Sequence, residues 1–317
     1  MKQMISFIIP CYHSEQTLSQ VTSDISETMK EHCDYDYEIV LVNDNPPDAT
    51  WDLIRKLSQA NPKIHGVCMA HNFGQHSALM AGFRKSRGDI VLCLDDDGQT
   101  PPSEAFKLID SLKGNTDVVY GDYPDEKFAN KFRQAGSRAN DLMAEWLLNK
   151  PRGLYLSSYI AARRHVIDQV VQYSGPYPYV DGLMLRSASE IINVPVVHKQ
   201  REVGSSGYSF GKLLGLWANG FTAFSVKPLR IGAVLGAIIA AVGFICAVVV
   251  FVQKLIYQDA VNAGWSSIVC LIMILGGILL LMLGLIGEYV GRIYLSINAT
   301  PQYIVLRDTD QTVESEV

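Results

Sequence analysis

Two long uncharged stretches constrain this chain more than any other feature. Residues 231–252 and 265–287 contain no Asp, Glu, Lys or Arg. Each stretch is long enough to cross a hydrocarbon core of about 30 Å as an α-helix. A buried helix of a soluble domain is the alternative for either one, but two such stretches in the last third of the chain favour a pair of transmembrane helices.

The charges around these stretches predict their orientation. Loops on the cytoplasmic side of a membrane carry an excess of Lys and Arg. Basic residues lie outside both stretches, at Lys227, Arg230, Arg292 and Arg307. We therefore expect a multi-pass protein of the inner membrane whose large N-terminal region lies in the cytoplasm. Glycine spacings that permit close helix contact, within a hairpin or in a homo-oligomer, occur at Gly232/Gly236 and Gly287/Gly291.

Composition argues against several other classes of protein. A net charge of -5 gives no electrostatic reason to expect nucleic-acid binding. The six cysteines are scattered, without the spacing of a zinc site or a disulfide framework. The apolar run before Pro10 is too short for a signal peptide and predicts a first strand instead.

The N-terminal two thirds alternate between short apolar runs and amphipathic segments. This alternation predicts an α/β domain with a mostly parallel sheet and helices on both faces. The predicted strands are residues 5–9, 38–42, 66–70, 90–94 and 118–120, and the predicted helices are 15–30, 51–60, 75–85 and 103–113. Residues 121–203 are predicted only as mixed helix and short strand, and the acidic tail after Arg307 as disordered.

An acidic loop follows the predicted strand at residues 90–94. Its sequence is Asp95-Asp96-Asp97-Gly98-Gln99-Thr100-Pro101-Pro102. If the strand alternation continues, Asp95 and Asp97 point to the same side and Asp96 points elsewhere. Two carboxylates on one side can bind Mg²⁺ or Mn²⁺, which would neutralise a departing diphosphate. A solvated turn is the alternative, but ligands gather at the carboxyl ends of such strands, which favours a metal site.

Several motifs occur in the order found in glycosyltransferase family 2. They are Ile8-Ile9-Pro10-Cys11-Tyr12, Val42-Asn43-Asp44, His71-Asn72-Phe73-Gly74-Gln75 and the acidic loop. The chain resembles the polyprenyl-phosphate subgroup, which includes bactoprenol glucosyltransferases and undecaprenyl-phosphate aminoarabinose transferases. Two later stretches carry that closer resemblance, Arg201-Glu202-Val203-Gly204-Ser205-Ser206-Gly207-Tyr208 and Gly287-Glu288-Tyr289-Val290-Gly291-Arg292.

The resemblance implies a GT-A fold followed by a two-helix membrane hairpin. It implies a nucleotide site of Pro10, Tyr12, Asp44 and Asp95, with Asp44 accepting a hydrogen bond from the base. It also implies that Gln99 lines the sugar site and that Arg201, Ser206 and Tyr208 belong to a phosphate-binding loop. Asp95, Asp97 and Arg201 would then be the catalytic residues. Without the resemblance, the sequence alone favours a surface cation at Arg201.

The expected reaction transfers a sugar from a nucleotide diphosphate donor, UDP-linked by resemblance, to a polyprenyl phosphate such as undecaprenyl phosphate. Residues 157–159 lack the carboxylate often discussed as the family's base. A phosphate acceptor is already anionic at neutral pH, so it can attack without one. Asp181 is a reserve candidate for a base, and a helix cap or turn is its structural alternative.

The implied domains are a catalytic domain at 1–209, an interfacial helix at 210–228, a transmembrane hairpin at 229–288 and a cytoplasmic segment at 289–317. The apolar side of residues 210–226 could instead belong to an ordinary core. Two other functions stay open. One is transfer to a different lipid or glycan acceptor, and the other is an inactive membrane scaffold.

Overall fold

A computed structural model describes residues 2–45, 48–123, 150–199, 265–298 and 300–311, with Glu145 and scattered positions between 229 and 252. The chain forms two compact units. The first combines Met1–Ser209 with Ala299–Val317, and the second is Phe210–Asn298. The predicted interfacial helix at 210–228 lies outside the described residues.

The first unit is built around an eight-stranded sheet in the order β7-β5-β6-β4-β1-β2-β3-β8. The strands are β1 (Gln3–Cys11), β2 (Tyr35–Asn43), β3 (Ile64–Met69), β4 (Ile90–Cys93), β5 (Thr116–Asp122), β6 (Ile160–Arg163), β7 (Glu190–Pro195) and β8 (Val305–Asp308). β1 pairs in parallel with β2 and β4, and β2 with β3, whereas β6 and β8 run antiparallel to their neighbours. The predicted mostly parallel α/β sheet is confirmed.

The described helices of this unit connect the strands and cover the sheet. They are α1 (Leu18–Glu31), α2 (Thr50–Ala60), α3 (Gln75–Lys85), α4 (Ala105–Ile109), α5 (Arg164–Val170) and α6 (Val180–Ser187), and a 3₁₀ turn at Pro102–Glu104 precedes α4. β1, β2 and β4 are almost entirely buried because both faces of the sheet are covered. The helix predicted at 103–113 is shorter than expected, since regular α-helix ends at Ile109.

Helix α3 lies close to the sheet at Gly82. A Cβ atom at this position would collide with Cγ2 of Ile8 and lie 3.3 Å from Cγ2 of Val42, and both side chains are fully buried. Alanine normally stabilises a helix interior by about 0.5–1 kcal/mol relative to glycine. At Gly82 the collision makes the change to alanine destabilising instead.

We predict that Gly82→Ala lowers the free energy of unfolding by about 1–3 kcal/mol, measured by urea denaturation in detergent. Adding Ile8→Ala removes the colliding methyl group. The double variant should therefore lose less stability than the sum of the two single changes. A Gly82→Ala variant as stable as the wild type would contradict this packing.

The segment after the second apolar stretch differs from expectation. Disorder after Arg307 was predicted, but β8 extends to Asp308, and the Thr309 backbone N–H donates to the carbonyl of Gly66 at 3.0 Å. The expectation is wrong for these residues because β3 offers an unpaired edge that β8 fills. Residues 312–317 lie outside the described part of the chain.

The second unit contains the long helix α7 (Trp265–Ile297), which continues ten residues past the predicted end of the span at 287. Its stretch Leu275–Ile297 has a mean hydropathy of 1.7, and none of its described side chains is buried, so it is long and apolar enough to cross a membrane. Among the described residues it is the one helix that meets this test. The described positions from Leu229 to Val252 are also helical.

Candidate active site

Four chain segments meet at the carboxyl edge of the parallel strands. Tyr12 follows β1, Asp44 follows β2, residues 70–74 follow β3 and Asp95 lies just beyond β4. Because these strands are parallel and adjacent, their ends share one edge of the sheet. Such edges are where ligands bind in α/β sheets.

Asp44 organises the loop that follows β3. Its carboxylate is 5% exposed and accepts two backbone hydrogen bonds, from the N–H of Phe73 at 2.7 Å and from that of Gly74 at 2.9 Å. Burial raises the pKa of Asp44 to about 6, although these two donors and nearby His71 act in the opposite direction. The predicted nucleotide-binding carboxylate is therefore held in place before any ligand arrives.

Asp95 is held by Ser158 and Gln75 from outside the acidic loop and by Thr100 within it. The hydroxyl of Ser158, just before β6, donates to Oδ2 of Asp95, and Nε2 of Gln75 lies 3.5 Å from its Oδ1. The backbone N–H of Asp95 donates to Oγ1 of Thr100 at 3.2 Å. The side chain is thus fixed at the head of the acidic loop.

Strand alternation does not set the directions of the three aspartates, because β4 ends at Cys93. Asp96 turns toward the end of β1, where its Oδ2 accepts bonds from the Ser14 hydroxyl and, at 3.1 Å, from the backbone N–H of Tyr12. Burial raises the pKa of Asp96. Asp97 accepts the backbone N–H of Gln99 at 3.0 Å, which closes a turn.

Gln99 connects the acidic loop to the segment before the predicted phosphate loop. The side-chain Nε2 of Gln99 donates to the backbone carbonyl of Lys199 at 3.2 Å. The backbone carbonyl of Gln99 accepts the Lys199 backbone N–H at 2.9 Å. Lys199 is two positions before Arg201 in the chain. Arg201, Ser206 and Tyr208 themselves lie outside the described residues.

The remaining predicted nucleotide-site residues lie on or next to β1. Pro10 is within the strand, opposite Val42 of β2. Tyr12 follows it and is 49% exposed, with its ring edge-to-face against His13 at 4.5 Å. An exposed aromatic ring at this edge can stack on a planar base.

A second polar group connects strand β5 to helix α6. Tyr120 of β5 donates its hydroxyl to Oδ1 of Asp181 at 3.1 Å, and the His76 ring meets Tyr179 edge-to-face at 5.1 Å. Burial raises the pKa of Asp181 and lowers that of His76. Asp181 lies in the first turn of helix α6 but makes no cap hydrogen bond there, and its carboxylate already accepts the Tyr120 hydroxyl.

The donor set of the acidic loop suits a hard divalent cation, although no part of the described chain brings three or more His, Cys, Asp or Glu side chains together as a metal site. Mg²⁺ and Mn²⁺ need only one or two carboxylates when water and phosphate oxygens complete the shell. Asp95 and Asp97 are half-buried and offer such oxygens. These residues therefore fit the predicted ion.

Several site residues escape sequence reasoning. Ser14 and Ser158 bind the aspartates from positions 82 and 63 residues away. Neither serine belongs to a periodic pattern or motif that would identify it. The sequence hint for Ser158 is weak: the resembling family often carries a carboxylate near residues 157–159, and this chain does not.

A mostly parallel sheet with carboxylates at its carboxyl edge belongs to the class of α/β proteins that bind ligands at that edge. Residues 6–170 match the model of glycosyl transferase family 2, and residues 227–293 match the GtrB C-terminal hairpin. The chain belongs to glycosyltransferase family 2 and is a glycosyltransferase. The hairpin match and the apolar helix α7 support a membrane location.

Among known proteins, the chain is similar to two enzymes named undecaprenyl-phosphate 4-deoxy-4-formamido-L-arabinose transferase. The protein from Proteus mirabilis is 33% identical over 95% of this chain and 92% of its own length. The protein from Photorhabdus laumondii is 33% identical over 95% and 93%. A solved mannosyl-3-phosphoglycerate synthase from Rubrobacter xylanophilus is 13% identical, with a TM-score of 0.49 over 72% of this chain and 74% of that one.

Proposed function

We propose that this protein transfers a sugar, with inversion, from a UDP-linked donor to a polyprenyl phosphate such as undecaprenyl phosphate. The product would be a polyprenyl-phosphate sugar for modifying cell-envelope glycans. The observation that carries the proposal is the similarity, over 95% of the chain, to enzymes named as undecaprenyl-phosphate sugar transferases. That similarity spans both the sheet domain and the apolar C-terminal region.

The donor side of the site would use residues at the ends of β1 and β2. Asp44 has a further lone pair on each oxygen beyond those engaged by Phe73 and Gly74, so it can accept an N–H of the base. Tyr12 supplies an aromatic face beside it. Gln99, at the far side of the acidic loop, would contact the sugar.

Asp95 and Asp97 would hold Mg²⁺ or Mn²⁺. When bound, the ion supplies Lewis-acid neutralisation of the donor diphosphate. Ser158 and Gln75 fix the orientation of Asp95 beforehand, and the turn through Gln99 fixes Asp97. Such preorganisation lowers the cost of arranging charge at the moment of reaction.

The acceptor would not require proton removal. A phosphate monoester has a second pKa of about 6, so an anionic oxygen is present at neutral pH. That oxygen forms a bond to the anomeric carbon while the bond from this carbon to the diphosphate oxygen breaks. The chain's task is to align two anions, and the neutral hydroxyl of Ser158 adds no further negative charge beside Asp95.

Arg201 would stabilise the phosphate charge, with Ser206 and Tyr208 in the same loop. A guanidinium group can bind phosphate oxygens through two parallel hydrogen bonds. The two hydrogen bonds between Gln99 and Lys199 support this role, because they hold the chain two residues before Arg201 beside the acidic loop.

We place the enzyme in the inner membrane as a multi-pass protein with its catalytic domain in the cytoplasm. The basic flanks support this orientation. A polyprenyl phosphate keeps its tail in the bilayer and its head group at the interface, so an enzyme attached to the same membrane meets its acceptor there. The glycine spacings would allow a homo-oligomer.

The direct test incubates membranes containing the protein with a panel of nucleotide sugars and undecaprenyl phosphate, with Mn²⁺ present, and measures the masses of the lipids formed. One donor should yield undecaprenyl phosphate plus one sugar residue. Membranes with an empty vector are the control. Sugar transfer to another lipid, or no transfer from any donor, would overturn the proposal and favour a different acceptor or a scaffold.

Donor binding should weaken in acid, because Asp44 must be ionised to accept the proposed hydrogen bond from the base. With a pKa of about 6, about a tenth of the group is ionised at pH 5. We expect the dissociation constant of the donor found by that panel to rise about tenfold between pH 7.5 and pH 5, measured by calorimetry without acceptor. Asp44→Asn should bind weakly at both pH values, and an unchanged wild-type constant at pH 5 would contradict this role.

A further inference from the structure

The C-terminal segment (residues 301–310) follows helix α7 and returns to the sheet domain. Its strand β8 lies at the edge of the sheet, antiparallel to β3, with Val305 opposite Met69 and Asp308 opposite Val67. The amino end of β8 therefore lies at the same edge as the active site, and its carboxyl end lies at the opposite edge. The segment contacts the domain at both places.

At the active-site edge the segment holds the donor loop (residues 70–74). The backbone N–H of Ala70 donates to the carbonyl of Ile304 at 2.9 Å. The carbonyl of Ala70 accepts Nδ2 of Asn45, next to Asp44, at 2.8 Å. Three and four residues further on, the N–H groups of Phe73 and Gly74 bind the Asp44 carboxylate.

At the opposite edge a charge cluster fixes the segment. Nζ of Lys85 lies 2.8 Å from both carboxylate oxygens of Asp308 and 2.9 Å from Oδ2 of Asp310. His65 of β3 lies 2.8 Å from the other oxygen of Asp310. The side chains of Asp308, Lys85 and Asp310 are 10%, 22% and 36% exposed, so water screens the Lys85–Asp308 contact less than a surface pair.

Helix α3 connects the donor loop at the active-site edge with the charge cluster at the opposite edge. It begins at Gln75, directly after the donor loop, and ends at Lys85, which binds the C-terminal segment. The N–H of Gly66, at the third position of β3, also donates to Oγ1 of Thr309 at 2.8 Å. The donor loop is thus bounded by β3 and α3, and both are bonded to the C-terminal segment.

We propose that the C-terminal segment is a positioning element of the donor site: by fixing β3 and the end of α3, it holds the loop that orients Asp44. The position of the Asp44 carboxylate would then depend on residues that follow the apolar helix α7 in the sequence. This inference rests on the proposed function only for the identity of the ligand. The mechanical connection can be measured without any ligand.

The test uses the full-length protein in detergent with Asp308→Asn and Asp310→Asn combined, which removes both charges that bind Lys85. Arg55→Met is the matched control, since it breaks an Arg–Asp pair 3.1 Å long in the same domain whose two side chains are both exposed. Thr309→Val is a milder second variant that removes the acceptor for Gly66 while preserving shape. Amide hydrogen exchange and donor kinetics are measured for each protein.

We expect the amides of Phe73 and Gly74 to exchange at least tenfold faster in the double variant. The KM for the donor should rise about tenfold, with kcat changed less than twofold, because the reacting groups are untouched. Thr309→Val should change both quantities in the same direction by a smaller factor. The control variant should match the wild type in both.

Unchanged exchange at Phe73 and Gly74 in both variants would overturn the proposal, as would faster exchange with an unaltered KM. A KM that rises by the same factor as kcat falls, together with a lower unfolding midpoint, would show general destabilisation. That result would also overturn the proposal. A wild-type protein that transfers no sugar would sink the proposed function instead. The exchange measurement would still decide whether the segment holds the loop.

Discussion

Asp95→Asn is expected to reduce the rate of sugar transfer by about 10²–10³-fold, comparable to removing one essential charge-stabilising group from an active site. Asparagine is almost the same size and can still accept the hydroxyl of Ser158, so the loop should keep its conformation. The charge that attracts a divalent cation is lost. The measurement is transfer of radiolabelled sugar to undecaprenyl phosphate over a series of Mn²⁺ concentrations.

Two measurements distinguish the loss of a metal-binding charge from general destabilisation of the fold. The residual activity of Asp95→Asn should require more Mn²⁺ for half-saturation, whereas its unfolding midpoint should match that of the wild type. Asp110→Asn, at an exposed position after α4, is the control and should leave both the rate and the Mn²⁺ requirement unchanged. An Asp95→Asn protein with wild-type rate and metal requirement would remove the carboxylate from the mechanism.

Arg201→Met should lower kcat by about 10²–10³-fold, because a developing diphosphate charge would lose its cationic partner. Arg201→Lys retains the charge but not the planar fork that binds two oxygens at once. It should therefore recover part of the rate, leaving a deficit of about tenfold or more. Single-turnover transfer with saturating donor isolates this step from binding.

Arg152→Met provides the comparison for Arg201, since it removes a guanidinium group from an exposed position of the same domain. Its kcat should equal that of the wild type. If Arg201→Met also behaved like the wild type, Arg201 would be a surface cation and another residue would have to bind the phosphate. Full recovery in Arg201→Lys would argue for a point charge rather than a bidentate contact.

The hydroxyl of Ser158 gives the proposed mechanism its particular character. The resembling family often carries a carboxylate near residues 157–159, and this chain has none there. Ser158 instead donates to Asp95 and orients its carboxylate. An enzyme whose acceptor is already anionic does not need that base, because the acceptor oxygen can attack without proton removal.

The sequence by itself determined the local structure and the family. Apolar periodicity gave the strands β1 to β5 and the helices between them, because burial on a strand or on one helix face repeats every few residues. Uncharged length predicted the apolar C-terminal helices, and motif order identified glycosyltransferase family 2. The acidic loop was located correctly at the carboxyl edge of the sheet, since parallel strands place their ends together.

Only the tertiary structure decided which distant groups touch. Ser158 binds Asp95 and Ser14 binds Asp96 because the sheet order places β6 and β1 on either side of β4. The return of residues 305–308 to the edge of β3 was likewise invisible, as four residues carry too little pattern to predict a pairing. Periodicity records whether a residue is buried, whereas the identity of its partner depends on how separate elements pack, and that is set by the whole sheet.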